Sequence, residues 1–143
     1  MAATREQIYS ALFALVSAAG AFTTKSRKIK HWTEVRPAEM PAIYQLQKAE
    51  IFENAARGIP SRKYYYLDLF VYAYSPNNAD TPSIQLNSLL DAIEAALAPD
   101  YTGNQTLGGL VSHCWIKGTI ETDEGVLGQT AVAIIPIEIL VNI

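Results

Sequence analysis

The chain has 143 residues, of which 50% are hydrophobic and 17% are charged, and its formal net charge is −3. A chain of this length forms one hydrophobic core, which excludes a multidomain assembly and predicts a single domain over residues 1–143. An average globular domain has about 25% charged residues. Because this chain has fewer, we expect another subunit to cover part of its surface. The acidic balance disfavours a protein that binds nucleic acid through bulk charge.

The single cysteine and the N-terminal segment indicate in which cellular compartment the protein is found. Cys114 has no second cysteine with which to form an internal disulfide, which is typical of a reducing compartment. Polar residues at helical spacing interrupt the apolar run after Arg5, so we do not interpret this run as a secretion signal. No stretch approaches the about 20 apolar residues of a membrane-spanning helix, and we expect a soluble, cytoplasmic protein without membrane contact.

The first third of the chain predicts one helix and two strands. Thr4 and Gln7 match the capping box at which a helix begins, and Gly20 suits the left-handed position that ends a helix. The Thr-rich and basic sequence from Phe22 to Trp32 predicts a strand near a sheet edge. Residues 42–47 alternate weakly and predict a second strand.

The middle of the chain contains the clearest strand. Residues 48–63 have mixed charge and predict a long connection with one helical turn. The segment from Lys63 to Tyr74 is apolar or aromatic at both sets of alternate positions, which predicts a strand covered on both faces. Thr81 as N-cap and Pro82 at the first helical position predict a second helix, which Pro99 ends.

The C-terminal third predicts an antiparallel hairpin. The segments from Val111 to Thr122 and from Thr130 to Val141 flank a glycine-containing turn. Pro136 removes a hydrogen-bond donor from the last segment, which predicts a sheet edge or a bulge. Together the elements predict an α+β fold with a mostly antiparallel sheet of about five strands and two helices packed on one face. The predicted order is helix, three strands, helix and two strands.

Histidine and cysteine give no clear metal or nucleophilic site. The chain contains only His31, His113 and Cys114 of these types. Adjacent strand residues point to opposite faces, so the side chains of His113 and Cys114 should diverge, and further ligands at zinc spacing are missing. We therefore predict that Cys114 is a small buried hydrophobe and that His113 is partly exposed. No glycine pattern opens a helix as a phosphate loop would, and we expect no cofactor and no metal.

Acid–base chemistry is the remaining catalytic option. Five carboxylates are candidates: Asp68, Glu121, Asp123, Glu124 and Glu138. Their spacing does not indicate that any two converge in a cleft. Asp68 lies among Tyr and Leu residues, and we predict that it pairs with a basic residue. The sequence therefore favours a protein that is not an enzyme.

A basic run beside an aromatic residue offers a possible phosphate contact. It contains Lys25, Arg27, Lys28 and Lys30, followed by His31 and Trp32. Such a run could bind nucleic acid, but we favour the interpretation as an edge strand whose lysines prevent aggregation. On a strand, Lys25 and Arg27 would share one face and Lys28 and Lys30 the other, so the charges do not form one stripe.

A resemblance to a known family is carried by REQIYSALFALVSAA, TTKSRKIKHW, IYQLQ, LNSLLDAIEAALAP and above all TLGGLVSHCWIKGTIETDEGVLGQTAVAIIPIEIL. Over nearly its whole length, the chain resembles the tail terminator, or tail completion, proteins of bacteriophages and prophages. The resemblance implies a ring, commonly a hexamer, at the head-proximal end of the tail tube. One face of the ring would stop tube polymerisation and the other would meet the head's connector proteins. The resemblance brings no catalytic residues.

If the chain is such a ring subunit, its function lies in interfaces. Each subunit of a closed ring presents two different surfaces to its neighbours. We hypothesise that the ring or tube contacts come from Lys25, Arg27, Lys28, Lys30, Trp32, Ile51, Phe52, Arg57 and Ile59. The expected partners are copies of itself, the major tail tube protein and head–tail connector proteins, with nucleic acid present only as DNA in the ring lumen. The alternatives are a head–tail connector, neck or other minor tail protein and, more distantly, a small enzyme or nucleic-acid-binding module.

Overall fold

The computed structural model describes residues 3–53, 57, 62–75, 81–124 and 129–141. Its helices and strands are α1 (Arg5–Ser17), β1 (Thr24–Ser26), β2 (Ala42–Glu53), β3 (Arg62–Tyr74), α2 (Pro82–Ala96), β4 (His113–Ile116), β5 (Glu121–Glu124) and β6 (Thr130–Val141). The predicted α+β fold with two helices and a mostly antiparallel sheet is confirmed. The predicted strand count and order were wrong, because the described sheet has six strands and three of them follow α2.

The sheet is built around its two longest neighbours, β3 and β6. The strand order is β1-β2-β3-β6-β4, and β5 pairs with β6 beyond the end of β4. β1 is parallel to β2, whereas all the other pairs are antiparallel. β4 and β5 thus form one edge of the sheet, and β1 and the uncovered part of β2 form the other.

The first helix begins as predicted and ends differently. The Thr4 hydroxyl accepts a hydrogen bond from the backbone of Gln7, and the Gln7 side chain accepts one from the Thr4 backbone, which completes the capping box. The predicted glycine cap was wrong: the helix ends at Ser17, and Gly20 does not have a positive φ. A Cβ at Gly20 would lie 2.9 Å from Leu89 Cδ2, so its small size serves the approach of α2.

Both helices pack on one face of the sheet. Pro82 starts α2 after an extended Thr81, although the Thr81 side chain makes no cap hydrogen bond. The shared core contains buried residues from α1, α2, β3 and β6, among them Leu12, Ile93 and Leu69. The predicted placement of the helices on one face is confirmed.

The second strand continues through the predicted connection. The segment of β2 after Gln47 was expected to be a loop, but it pairs with β3 as far as Glu53. Its register shifts by one residue between Gln47 and Ala49, which identifies a bulge at Lys48. A bulge moves later side chains to the opposite parity, so the alternation in the sequence is lost although the strand goes on.

The first strand is much shorter than predicted. Only Thr24 to Ser26 pair with β2, whereas a strand was expected from Phe22 to Trp32. The Ser26 hydroxyl accepts a hydrogen bond from the Lys28 backbone 3.0 Å away, and this local turn ends the strand. The short helical turns Trp32–Glu34 and Pro37–Glu39 lie in the connection to β2.

The last predicted strand pair is split by Pro136. Residues 113–116 and 121–124 both pair with β6, but two extra residues separate their registers. Pro136 was predicted to border a sheet edge or a bulge; it lies in an interior strand, and the break between β4 and β5 stands opposite it. Lys117 donates its backbone N–H to the Pro136 carbonyl, and Gly118 adopts φ +111° beside the proline ring. The predicted turn at 125–128 lies outside the described residues.

Candidate functional site

Burial alternates along β6 and distinguishes two faces of the sheet. The odd-numbered residues from Ala131 to Val141 lie under the helices and are at most 5% exposed. The even-numbered residues from Thr130 to Leu140 are half-buried, with the exception of the buried Glu138. We call the second surface the helix-free face.

The connection between β1 and β2 covers one end of the helix-free face. Val35 and Met40 pack there against Ala42, Tyr44 and Tyr72 in a second, smaller core. The rest of this face is an open patch of half-buried apolar and aromatic side chains: Leu46, Tyr64, Tyr66, Phe70, Trp115, Ile134, Pro136 and Leu140. Phe70 lies at its border and also packs against the second core. The prediction that both faces of β3 are covered therefore holds only in part.

Asp68 lies within this open patch and has the basic partner that the sequence predicted. Its Oδ2 atom is 3.3 Å from Lys48 Nζ, and its side chain is 11% exposed. The bulge on β2 places Lys48 beside Leu46, which stands opposite Asp68 in the register. The bulge therefore positions Lys48 as the counter-charge of Asp68 on the neighbouring strand.

Glu138 is the most deeply buried carboxylate of the open patch. Its side chain is only 2% exposed, and its two oxygens lie 3.2 and 3.4 Å from Lys117 Nζ. Tyr66, directly opposite on β3, donates its hydroxyl hydrogen bond to the same carboxylate. This hydrogen bond is the main cause that raises the pKa of Tyr66 to about 12.

The two carboxylates are diagonal neighbours across β3 and β6. Asp68 stands opposite Pro136 and Tyr66 stands opposite Glu138, so Asp68 and Glu138 occupy diagonal positions. Diagonal positions on one face of an antiparallel strand pair are about 7–8 Å apart. Each carboxylate is neutralised by its own lysine, so the four charged groups form a balanced pair of ion pairs. Among the residues that the structure describes, no three His, Cys, Asp or Glu side chains form a group that could hold a metal ion.

His113 and Cys114 diverge as predicted. Cys114 is completely buried under the helices, and burial raises the pKa of its thiol to about 12. His113 is half-buried on the helix-free face, where its ring stacks on Trp115 with centroids 4.4 Å apart. A thiol that is buried and protonated does not act as a nucleophile at neutral pH.

The basic run is already partly paired inside the molecule. Arg27 Nη1 is 2.7 Å from Glu6 Oε2, a contact that lowers the pKa of Glu6. Lys30 Nζ is 3.1 Å from Glu39 Oε2. Lys25 and Lys28 are exposed and make no ion pair with another described residue.

The hypothesised interface is distributed along the whole of β2. Lys25 stands beside Ile43, whereas Ile51 and Phe52 lie near the far end of the strand, about 25–30 Å away. Ile51 is 47% and Phe52 53% exposed, and Lys63 Nζ lies 5.6 Å from the centre of the Phe52 ring.

The remaining members of that hypothesised set are Trp32, Arg57 and Ile59. Trp32 opens the first short helical turn, and Arg57 is exposed. Ile59 lies outside the described residues. The proposed interface role of the set stays a prediction.

Sequence reasoning missed the partners that organise the open patch. Lys48 was assigned to a connection, and Lys117 was not singled out. Glu138 was considered only as one of five carboxylates. A signal for it exists, since it is the only charged residue in the apolar segment Thr130–Val141. A charge in such a strand requires a partner if it is buried.

Comparison with known families does not identify the chain. No family model matches it. A search of curated proteins likewise finds no match. Within the described part of the chain, neither helix is long and apolar enough to cross a membrane.

Proposed function

We propose that this chain is a structural subunit of a bacteriophage tail. Copies of it form a ring on the head-proximal end of the tail tube, which ends tube polymerisation and provides a surface for head–tail joining. The observation that carries the proposal is the open patch, an apolar and aromatic surface on a sheet whose buried charges are already balanced. The resemblance of the sequence to tail terminator proteins supplies the identity of the partner.

The composition of the open patch suits contact with another protein. Aromatic residues are enriched in protein interfaces, and unpaired charges are depleted from interface cores. Tyr64, Phe70 and Trp115 supply aromatic area, while Asp68 and Glu138 have their counter-charges within the same chain. A partner could therefore cover this patch without burying an unpaired charge.

The proposed partners follow from the position in the tail. They are further copies of the chain, the major tail tube protein and the head–tail connector proteins. The ring, proposed to contain six copies, would surround the DNA that passes through its lumen, and the net charge of −3 suits a surface that DNA slides past without binding. The protein would act in the host cytoplasm during assembly and in the tail of the virion, without catalysis and without a cofactor.

A tube-assembly experiment tests the proposal. The purified chain is added to the major tail tube protein encoded beside its gene, and tube length and end structure are measured by electron microscopy. We expect short, capped tubes with the wild type and longer, open tubes with a Phe70→Ser, Ile134→Ser variant. An Ile84→Ser variant is the matched control, because Ile84 is 69% exposed on α2 and away from the patch.

The same experiment separates the alternatives. Tubes that grow unchanged in the presence of the wild-type chain would contradict the terminator function. Binding to the connector complex without any effect on tubes would favour a neck component instead. Binding to DNA that weakens steeply with salt would favour a nucleic-acid-binding module.

A further inference from the structure

The strand β1 at one edge of the sheet and the strand β5 at the other lie at the same level along the strand direction. Thr24, Ala42, Tyr72, Val132 and Asp123 form one continuous row across five strands, from β1 at one edge to β5 at the other. A second row at this level runs from Ser26 to Glu121 in the same way. Within the described part of the chain, β1 pairs only with β2 and β5 only with β6, so each has an outer edge without a strand partner.

These two edges carry opposite charge. β5 has the sequence ETDE, and none of Glu121, Asp123 and Glu124 makes an ion pair with another described residue. The opposite edge carries Lys25 on β1 and Lys28 just beyond it, both exposed and likewise without such an ion pair. A lysine on an edge strand discourages indiscriminate strand addition. An acidic strand can still pair with this edge, because its carboxylates attract the lysine.

We propose that copies of this chain associate head to tail, with the acidic β5 edge of one copy against the basic β1 edge of the next. This inference rests on the ring proposed above and assigns the subunit contact within it. The contact is heterologous, because each copy contributes two different surfaces.

The strand directions support this arrangement. β1 and β5 run antiparallel within one copy, so in neighbouring copies with aligned strands the two edges also meet antiparallel. In the register without a shift, Lys25 stands opposite Thr122 of the next copy and has Glu124 of that copy as a diagonal neighbour on the same face. The long lysine side chain can reach across such a diagonal.

The common level of the two edges also favours closure. A head-to-tail contact gives a ring when it adds no net translation along its axis, and a filament when it does. Because β1 and β5 occupy the same rows, successive copies need no displacement along the strand direction. The sheet geometry is therefore compatible with a closed ring whose axis follows the strands.

Charge reversal tests the contact. One variant carries Lys25→Glu with Lys28→Glu, and the other carries Glu121→Lys with Glu124→Lys. The control, Asp91→Lys with Glu94→Lys, makes the same charge change as the second variant at exposed positions of α2. Native mass spectrometry measures assembly, and circular dichroism with a thermal melt verifies that each variant is folded.

Each edge variant alone should lose assembly by about tenfold or more at low salt, because like charges then face each other. An equimolar mixture of the two should regain assembly, since one variant has two acidic edges and the other two basic edges. The control should assemble like the wild type. Edge variants that assemble normally, a folded mixture that does not recover, or a wild-type chain that stays monomeric at every concentration would overturn the inference.

Tube length distinguishes this inference from the proposed function. If wild-type rings depend on the two edges but tubes grow unchanged, the edge contact is supported and the terminator function fails. If both edge variants still assemble and still cap tubes, the function is supported and the edge contact fails.

Discussion

The helix-covered face and the helix-free face of the sheet are formed by alternate residues of the same strands. Ile135 is completely buried beneath the helices, whereas its neighbour Ile134 is half-buried on the opposite face. In sequence these two residues are identical. The two-residue period of a strand therefore determines which residues share a face, while the elements that cover the sheet decide which face becomes the core.

The two faces also differ in whether they bury charged side chains. Among the described residues, no Asp, Glu, Lys or Arg is buried in the helix-covered core, and its cysteine is held protonated. The most deeply buried positions in the open patch of the helix-free face are Asp68 and Glu138, each with a lysine. One face therefore stabilises the fold by apolar packing, and the other pairs each of its buried carboxylates with a lysine.

The largest expected difference between the faces is in the cost of a cavity. Ile135→Ala should lower the free energy of unfolding by about 2–5 kcal/mol, because it removes buried methyl and methylene groups from a closed core. Ile134→Ala should cost about 1 kcal/mol, because its side chain keeps part of its contact with water in the native state. Chemical denaturation of both variants measures the difference. Equal losses would contradict the assignment of one closed and one open face.

A smaller effect is expected from the lysines of the open patch. Lys117→Met should destabilise the protein by about 1–3 kcal/mol, because it leaves the nearly inaccessible Glu138 carboxylate with the Tyr66 hydroxyl alone. Lys48→Met is the matched control, since its side chain is similarly exposed but its partner Asp68 is more accessible to water. The urea concentration at the midpoint of unfolding should be lower for Lys117→Met than for Lys48→Met. The reverse ranking would show that burial of the carboxylate does not determine the cost.

The smallest effect concerns the Tyr66 hydroxyl and alkaline pH. Its pKa is raised from 10 to about 12, so the folded state holds this proton more tightly than the unfolded chain does. The stability that this hydrogen bond contributes is therefore present below pH 10 and is lost as the pH rises towards 12. Glu138→Gln should move the Tyr66 phenolate transition to lower pH.

Ultraviolet difference absorbance follows that transition, and a Tyr66→Phe variant identifies it among the other tyrosines. Tyr9 is an internal reference, because burial is the main cause that raises its pKa to about 12. A Tyr66 transition that is unchanged by Glu138→Gln would refute the hydrogen bond as its cause.

Local patterns were sufficient to predict most of the elements. The capping box at Thr4, the proline at the start of α2 and the continuous apolar and aromatic runs of β3 and β6 depend on neighbours in sequence. The missed features depend on pairing between distant residues. The bulge at Lys48 reverses the alternation in β2, and the insertion opposite Pro136 divides one expected strand into β4 and β5.

The candidate site was predictable only in outline. The environment of Asp68 predicted a basic partner, but Lys48 could not be named because its segment was interpreted as a connection. The basic run was visible, whereas its internal pairs with Glu6 and Glu39 depend on how α1 and the β1–β2 connection pack. Opposite charge at matching levels of the two sheet edges required the complete strand order.

The interruption opposite Pro136 has a consequence for solubility. A continuous β4–β5 strand would give β6 a long outer neighbour, and a long regular edge is a template on which fibrils grow. The extra residues at 117–120 divide this edge into two strands of four residues each. The divided edge is therefore a poor seed for amyloid, and under the proposed edge contact it still leaves the short strand β5 available to a neighbouring copy.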